Sequence, residues 1–259
     1  MEKKVRILTA VLSVCAGLLS VSAGAQTEAA EFTADRPGAT TGPSVLPRGR
    51  VQLETGIGWE RVGFDNNWTT NWTANTSLLR WGFSDFAELR VQGDFLVMDE
   101  GNGPRFRMDN VIVGTKAKLY EGGRILPETS LIANVLIPGP RGSVFLTEHW
   151  GGQVGLLFEN TLAPWCSLGY EVDMILRGQP KPDVFFGFCL GFEPWERITL
   201  QLEEFNLAGE SPISCWAELS GAWRVSKRVQ LDLSADFSLN APQRYILLMF
   251  GVSWQITKR

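Results

Sequence analysis

The sequence predicts an all-β protein: a transmembrane antiparallel up-and-down β-barrel of about 12 strands, preceded by a signal peptide and a short irregular N-terminal arm. Three observations carry this. In Val229 to Leu239, VQLDLSADFSL, apolar and polar residues alternate without a break, so an extended strand has one wholly apolar and one wholly polar side. The same two-residue period returns along the chain with no amphipathic helix of comparable quality to cover an apolar sheet face. Charged residues, finally, keep almost entirely to one phase of the alternation, as lipid on the other face requires: Arg or Lys at the bilayer midplane costs roughly 2–4 kcal/mol.

Residues 1–25 read as a signal peptide. Lys3, Lys4 and Arg6 form a basic start, Ile7 to Val21 an apolar run, and Ala23-Gly24-Ala25 a small-x-small cleavage site. Residues 26–48 carry Pro37, Pro43 and Pro47 with Gly38 and Gly42, a density of breakers that leaves an irregular periplasmic arm able to act as a plug. Residues 49–259 form the barrel.

The first strand runs from about Gly49 to Arg61, with RVGFDNN as a loop. The second is Asn67 to Trp81, where Trp68 and Trp72 share a face near one end. A tight turn at Gly82 to Asp85 leads to strand three, Phe86 to Met98, and DEGNGPRFR is a polar loop. Strand four is Met108 to Tyr120 and strand five Glu128 to Ile137; PGPRGSVFLTEH is the longest loop. Strands six to nine are Trp150–Thr161, Trp165–Arg177, Asp183–Phe192 and Ile198–Phe205. Strands ten to twelve are Ile213–Val225, the opening stretch, and Arg244–Ile256. Connections after even strands are compact and those after odd strands tend to be longer. An even barrel with both termini in the periplasm has that pattern, with short inner turns and long outer loops. Segments of ten to fourteen residues suit tilted spanning strands, and several Trp fall at strand ends, as interface girdles do.

Composition narrows the function. Setting aside the signal peptide with Glu2, Lys3, Lys4 and Arg6, 21 bases face 27 acids, a net charge of −6. With no basic stripe, nucleic acid is not an expected partner. Cys166, Cys189 and Cys215 are odd in number and widely spaced, so neither a disulfide framework nor a metal site is implied; each reads as a small hydrophobe in a strand. No cofactor is expected. A Ca²⁺ bound by outer-loop carboxylates remains compatible with the composition.

The stretch Phe32-Thr33-Ala34-Asp35-Arg36-Pro37-Gly38, followed by Ser44 to Gly56 (SVLPRGRVQLETG), resembles the opening of the outer-membrane barrel family named for the meta pathway of phenol degradation. Leu79-Arg80-Trp81-Gly82, Phe86 to Arg90, Val113 to Lys116 and Pro138-Gly139 extend the likeness over nearly all of the mature chain, the N-terminal motif being the distinctive part. The resemblance implies an outer-membrane location and a loosely defined transport role, and with them outer-membrane lipid, the barrel-assembly machinery and a small solute as partners. The chain departs from the usual assembly signal by ending in Thr257-Lys258-Arg259, without a terminal aromatic.

A twelve-stranded barrel lies between the filled eight-stranded and the open sixteen-stranded cases, so a narrow or plugged lumen is expected. The candidate lumen or plug residues are Asp35, Arg36, Glu54, Arg80, Glu88, Arg90, Lys116, Glu171, Asp173, Asp232 and Asp236. Asp35 and Arg36 are expected to pair with charges of the wall; the wall charges otherwise pair across strands. Inward aromatics such as Phe185 or Trp216 would suit a small amphipathic solute. A barrel hydrolase needs a Ser–His pair, but the chain has a single His, His149, in a loop and no G-x-S-x-G. No catalytic residue is assigned. The function expected is passage of small, aromatic or hydrophobic molecules; the alternatives are a structural or assembly barrel and a barrel-embedded lipid hydrolase.

Overall fold

The computed structural model describes residues 32–64, 67–99, 103–109, 111–123, 125–139, 149–209, 213–240 and 244–256. The proposed signal peptide, most of the loop before His149 and the last three residues lie outside them. In chain order the strands are β1 (Val51–Phe64), β2 (Asn67–Gly82), β3 (Ala87–Asp99), β4 (Pro104–Met108), β5 (Val111–Glu121), β6 (Glu128–Ile137) and β7 (Gly151–Ala163). They continue with β8 (Cys166–Leu176), β9 (Asp183–Trp195), β10 (Ile198–Ala208), β11 (Ser214–Ser226), β12 (Val229–Ser238) and β13 (Arg244–Gln255).

All pairings are antiparallel, and β1 pairs with both β2 and β13, which closes the sheet. Twelve strands make the wall. The remaining one, β4, pairs only with the far end of β3, opposite Phe95 to Asp99. It falls, but for Met108, in the stretch read as the polar loop DEGNGPRFR, where stacking of Phe106 on Phe95, with ring centroids 5.8 Å apart, holds the hairpin extended. The wall strand that follows therefore begins at Val111 rather than Met108.

The first loop is also shorter than the sequence suggests. Pairing runs on through Arg61↔Thr70, Val62↔Thr69 and Gly63↔Trp68, leaving only 65–66 between β1 and β2. The Arg61 guanidinium lies over the Trp68 ring, 4.8 Å from its centroid, and supports this extension. A register shift between Thr73 and Asn75 changes the phase of β2, which keeps Trp72 outward on one side of it and Leu79 and Trp81 outward on the other.

The alternation sorts the wall as lipid requires. Leu233, Leu219, Ile57 and Phe250 are exposed outside, while Glu54, Arg80, Glu88, Lys116, Glu203 and Asp232 are buried inside. Trp81, Trp165, Trp195, Trp223 and Trp254 lie around the end where β1 begins; Trp59, Trp68, Trp72 and Trp150 lie around the far end. Two belts of amphipathic rings some strand-length apart are the mark of a membrane barrel.

Candidate functional site: the arm within the lumen

The core of this barrel is polar, and much of it is the chain's own N-terminal arm. Residues 32–47 lie inside the wall and follow a lap around it, held mostly by side chains of the wall that read the arm's backbone. Gln52 Nε2 donates to the Thr33 carbonyl at 2.8 Å, and Glu54 accepts from the backbone N–H of Asp35 and Arg36 at 3.0 and 3.1 Å. Gln230 donates to the Arg36 carbonyl at 2.8 Å. Across the lumen Glu203 Oε2 accepts from the N–H of Ala39 and Thr40 at 3.1 and 3.0 Å, and Glu171 accepts from Thr41. The return path meets Lys116 at the Gly42 carbonyl, Ser130 at Pro43, Arg80 at Ser44 and Glu88 at the Leu46 N–H. A hydrogen bond from Gly49 N to the Gly82 carbonyl then feeds the chain into β1.

An arm rich in Pro and Gly cannot satisfy its own backbone, and a buried unpaired amide costs roughly 1–3 kcal/mol. The inward Glu, Gln, Lys and Arg residues supply those partners. Gly38 is required where the arm passes Glu203: its φ of 116° is in the region that favours glycine, and a Cβ there would sit 2.1 Å from Glu203 Oε1.

Two side chains of the arm carry charge into the lumen. The Asp35 carboxylate bonds Lys116 Nζ at 2.8 Å, lies 3.3 Å from Arg80 Nη1, and bonds Arg90 through its other oxygen. Arg80 also reaches Glu54 at 2.8 Å and Glu88 at 2.9 Å, and Arg90 reaches Glu88 at 2.9 Å. Three cations thus face three carboxylates in one buried cluster. Arg36 points the other way, to Asp232 at 2.9 Å and to Thr76 at 3.3 Å. Between the arm and β2–β3 lies a cavity of about 260 Å³, lined by Asp35, Arg36, Thr76, Leu78, Gln92 and Asp94 among others.

Burial alone would push the Asp35 carboxyl up, but Arg80, Lys116 and Arg90 outweigh it and hold it far below the ordinary carboxylate range. A depressed carboxylate stabilises the folded state above its unfolded pKa of about 3.9 and loses that contribution as the pH falls toward the folded value. The stability difference between the protein and an Asp35→Asn variant is therefore expected to be constant from pH 8 to about pH 5, and to close only in stronger acid. Denaturant midpoints across that range measure it; a difference that vanishes near pH 6 would contradict the assignment.

Every candidate lumen residue faces inward, but in two groups. Asp35, Glu54, Arg80, Glu88, Arg90 and Lys116 form the neutral cluster against β1–β5, and Arg36 pairs with Asp232. Glu171, Asp173 and Asp236 lie on the opposite wall, with Glu203 and Glu218, and the described residues bring no Lys or Arg into an ion pair with any of them. Asp173 instead accepts from the Gln153 amide. The expectation that wall charges pair across strands thus describes one half of the lumen. Glu203 and Glu218 were not among the candidates, although their phase is fixed by neighbours: Leu200 and Leu202 take the outward phase and leave Glu203 on the inward one, and Glu218 lies between Ala217 and Leu219. Trp216 also points inward, sharing a face with Phe205 and Glu218. His149 sits at the loop rim against Gly178.

The family model described as "Putative MetA-pathway of phenol degradation" matches residues 34–180, more than half of the sequence. The chain belongs to this family. The match begins within the arm, at Ala34, and takes in the Asp35–Arg36–Pro37–Gly38 segment that enters the lumen. No curated protein matches the sequence. Among solved structures, the COG4313 outer membrane channel from Pseudomonas putida F1 superposes with a TM-score of 0.64 at 11% identity, over 85% of this chain and 99% of that one. The KdgM porin in complex with disordered oligogalacturonate gives 0.54 at 7% identity, over 78% and 99%. A Pseudomonas aeruginosa FadL homologue gives 0.50 at 7%, over 80% and 90%. The fold of this family member is that of outer-membrane channels.

Proposed function

We propose that the protein is a passive outer-membrane channel for small aromatic or hydrophobic molecules, with the N-terminal arm as its resident plug. The observation that carries this is the arm itself. Twelve strands enclose more room than their own side chains fill, and the space is taken by a segment that is not part of the wall. Its bonds are made to side chains of the wall, by its backbone and by Asp35 and Arg36, so it can leave without breaking any strand pairing. The residues of the cluster are plug-holding residues on this reading. The near end, where β1 begins and β13 ends, faces the periplasm; the signal peptide is cleaved, and the barrel-assembly machinery inserts the mature chain into outer-membrane lipid.

The family's description supports an aromatic solute, and the solved structures it superposes on are channels and porins. No catalytic pair supports an enzyme: His149 is at a loop rim against a glycine. In proteoliposome swelling with the variant lacking residues 32–46, small sugars and a phenyl glucoside too polar to cross lipid unaided are expected to enter faster than into protein-free vesicles, with the aromatic solute ahead. Swelling equal to that of empty vesicles, from protein shown to be folded, would favour the structural-barrel reading.

A further inference from the structure

The lumen is electrically lopsided. Against β1–β5 the charges cancel within the Asp35 cluster. On the β10–β12 side Glu203, Glu218 and Asp236 stand in a row, because Glu203 is the cross-strand partner of Glu218 and Glu218 that of Asp236. Such neighbours share one face with Cβ atoms roughly 4.5–5.5 Å apart. They are 1%, 3% and 7% exposed, and each keeps one carboxylate oxygen, Glu203 Oε1, Glu218 Oε1 and Asp236 Oδ1, without a hydrogen-bond partner. Arg36, the cation of the arm, is engaged with Asp232 instead. Buried carboxylates side by side without an ion-pair partner are costly unless they hold protons, and a cation entering the lumen takes the place of those protons.

One step farther from the periplasmic end, on the same inward face, three rings stand beside this row. Phe205 stacks on Trp216 with centroids 5.5 Å apart, and Phe185 lies 6.2 Å from Phe205. Phe205 follows Glu203 by two residues and Trp216 precedes Glu218 by two, so the layer of rings lies directly above the layer of carboxylates. An aromatic surface adjoining an anionic one accepts a flat apolar body on the rings and a positive head at the carboxylates, with the ring quadrupoles adding to the attraction.

We propose that this wall is a selectivity subsite for small organic ammonium ions, with Phe185, Phe205 and Trp216 taking the body and Glu203, Glu218 and Asp236 the charged head. This rests on the channel reading and specifies its solute. The arm covers the site from the lumen side, through the contact of Ala39 and Thr40 with Glu203; withdrawal of the plug frees one carboxylate for the solute.

The test is current through planar bilayers containing the full chain or a variant lacking residues 32–46. Under a salt gradient the reversal potential is expected to lie on the cation side. Benzylammonium is expected to block the current at concentrations where benzyl alcohol and benzoate, its neutral and anionic counterparts, do not. Combining Glu203→Gln, Glu218→Gln and Asp236→Asn is expected to remove the cation preference and to weaken the block by about tenfold or more, the scale of a lost charge-assisted contact. Should that variant fail to fold, the comparison of the three probes on the unmodified wall still decides. A non-selective or anion-selective current, or equal block by benzyl alcohol, overturns the subsite and leaves the channel standing. No current from either protein overturns the channel and the subsite together.

Discussion

Deleting residues 32–46 is expected to turn a quiet barrel into a conducting one. The full chain should show small or rare openings, and the variant long-lived openings several-fold larger. The wall does not depend on the arm for its closure: β1 begins at Val51 and pairs with β13 from Gln52 to Gly63. What the arm contributes is volume and backbone N–H donors across the lumen, from Glu54 on one side to Glu203 and Glu171 on the other. Single-channel recording of both proteins, with heat-modifiable migration in gels as the check on folding, measures the effect. Equal conductance would mean that solutes pass beside the arm or do not pass.

Replacing Arg80 by Met is expected to cost about 3–5 kcal/mol, the scale for breaking a fully buried ion cluster from one side. Arg80 touches Asp35, Glu54 and Glu88 and donates to the Ser44 carbonyl, and its side chain is wholly buried. Methionine fills similar space but leaves three carboxylates to share Arg90 and Lys116. Arg80→Lys restores the charge without the planar fork that serves Glu54 and Glu88 together, so only part of the loss should return. Urea unfolding in lipid vesicles reads the stability. Limited proteolysis reads the arm, expected to become cleavable in Arg80→Met at denaturant concentrations where the wall is still intact. A variant as stable as the parent, with a protected arm, would show that the cluster is not what holds the plug.

The wall was legible in the sequence because a membrane strand obeys one rule at every position. In Val229 to Ser238 each residue is sorted by whether it meets lipid, so the phase of Asp232 and Asp236 follows from Leu231 and Leu233. The rule weakens at strand ends. Arg61 lies on the outward phase yet is tolerated because it rests on Trp68 near the rim, and that charge made the first loop look longer than it is. It also breaks where an extra residue enters, as between Thr73 and Asn75. The arm was legible only in part. Asp35 and Arg36 stood out as charges in a segment that could not be a strand, but their partners lie on five different strands, and no local pattern pairs Arg36 with Asp232, 196 residues away. Glu203 was obscured by its neighbour Glu204: two adjacent acids read as a polar stretch, whereas one faces the lumen and the other lies on the outer phase.

The distribution of tryptophan gives this barrel a built-in optical division. Nine of the ten indoles lie on the outer surface or at its rims, where brominated or spin-labelled lipids extinguish their emission. Trp216 alone stands inside, stacked on Phe205 and out of reach of lipid. Light that survives a lipid quencher therefore comes from the lumen, and its further loss to a water-borne quencher such as iodide or acrylamide reports whether the interior is open to solution. A protein with no engineered label can in this way be watched opening and closing from within.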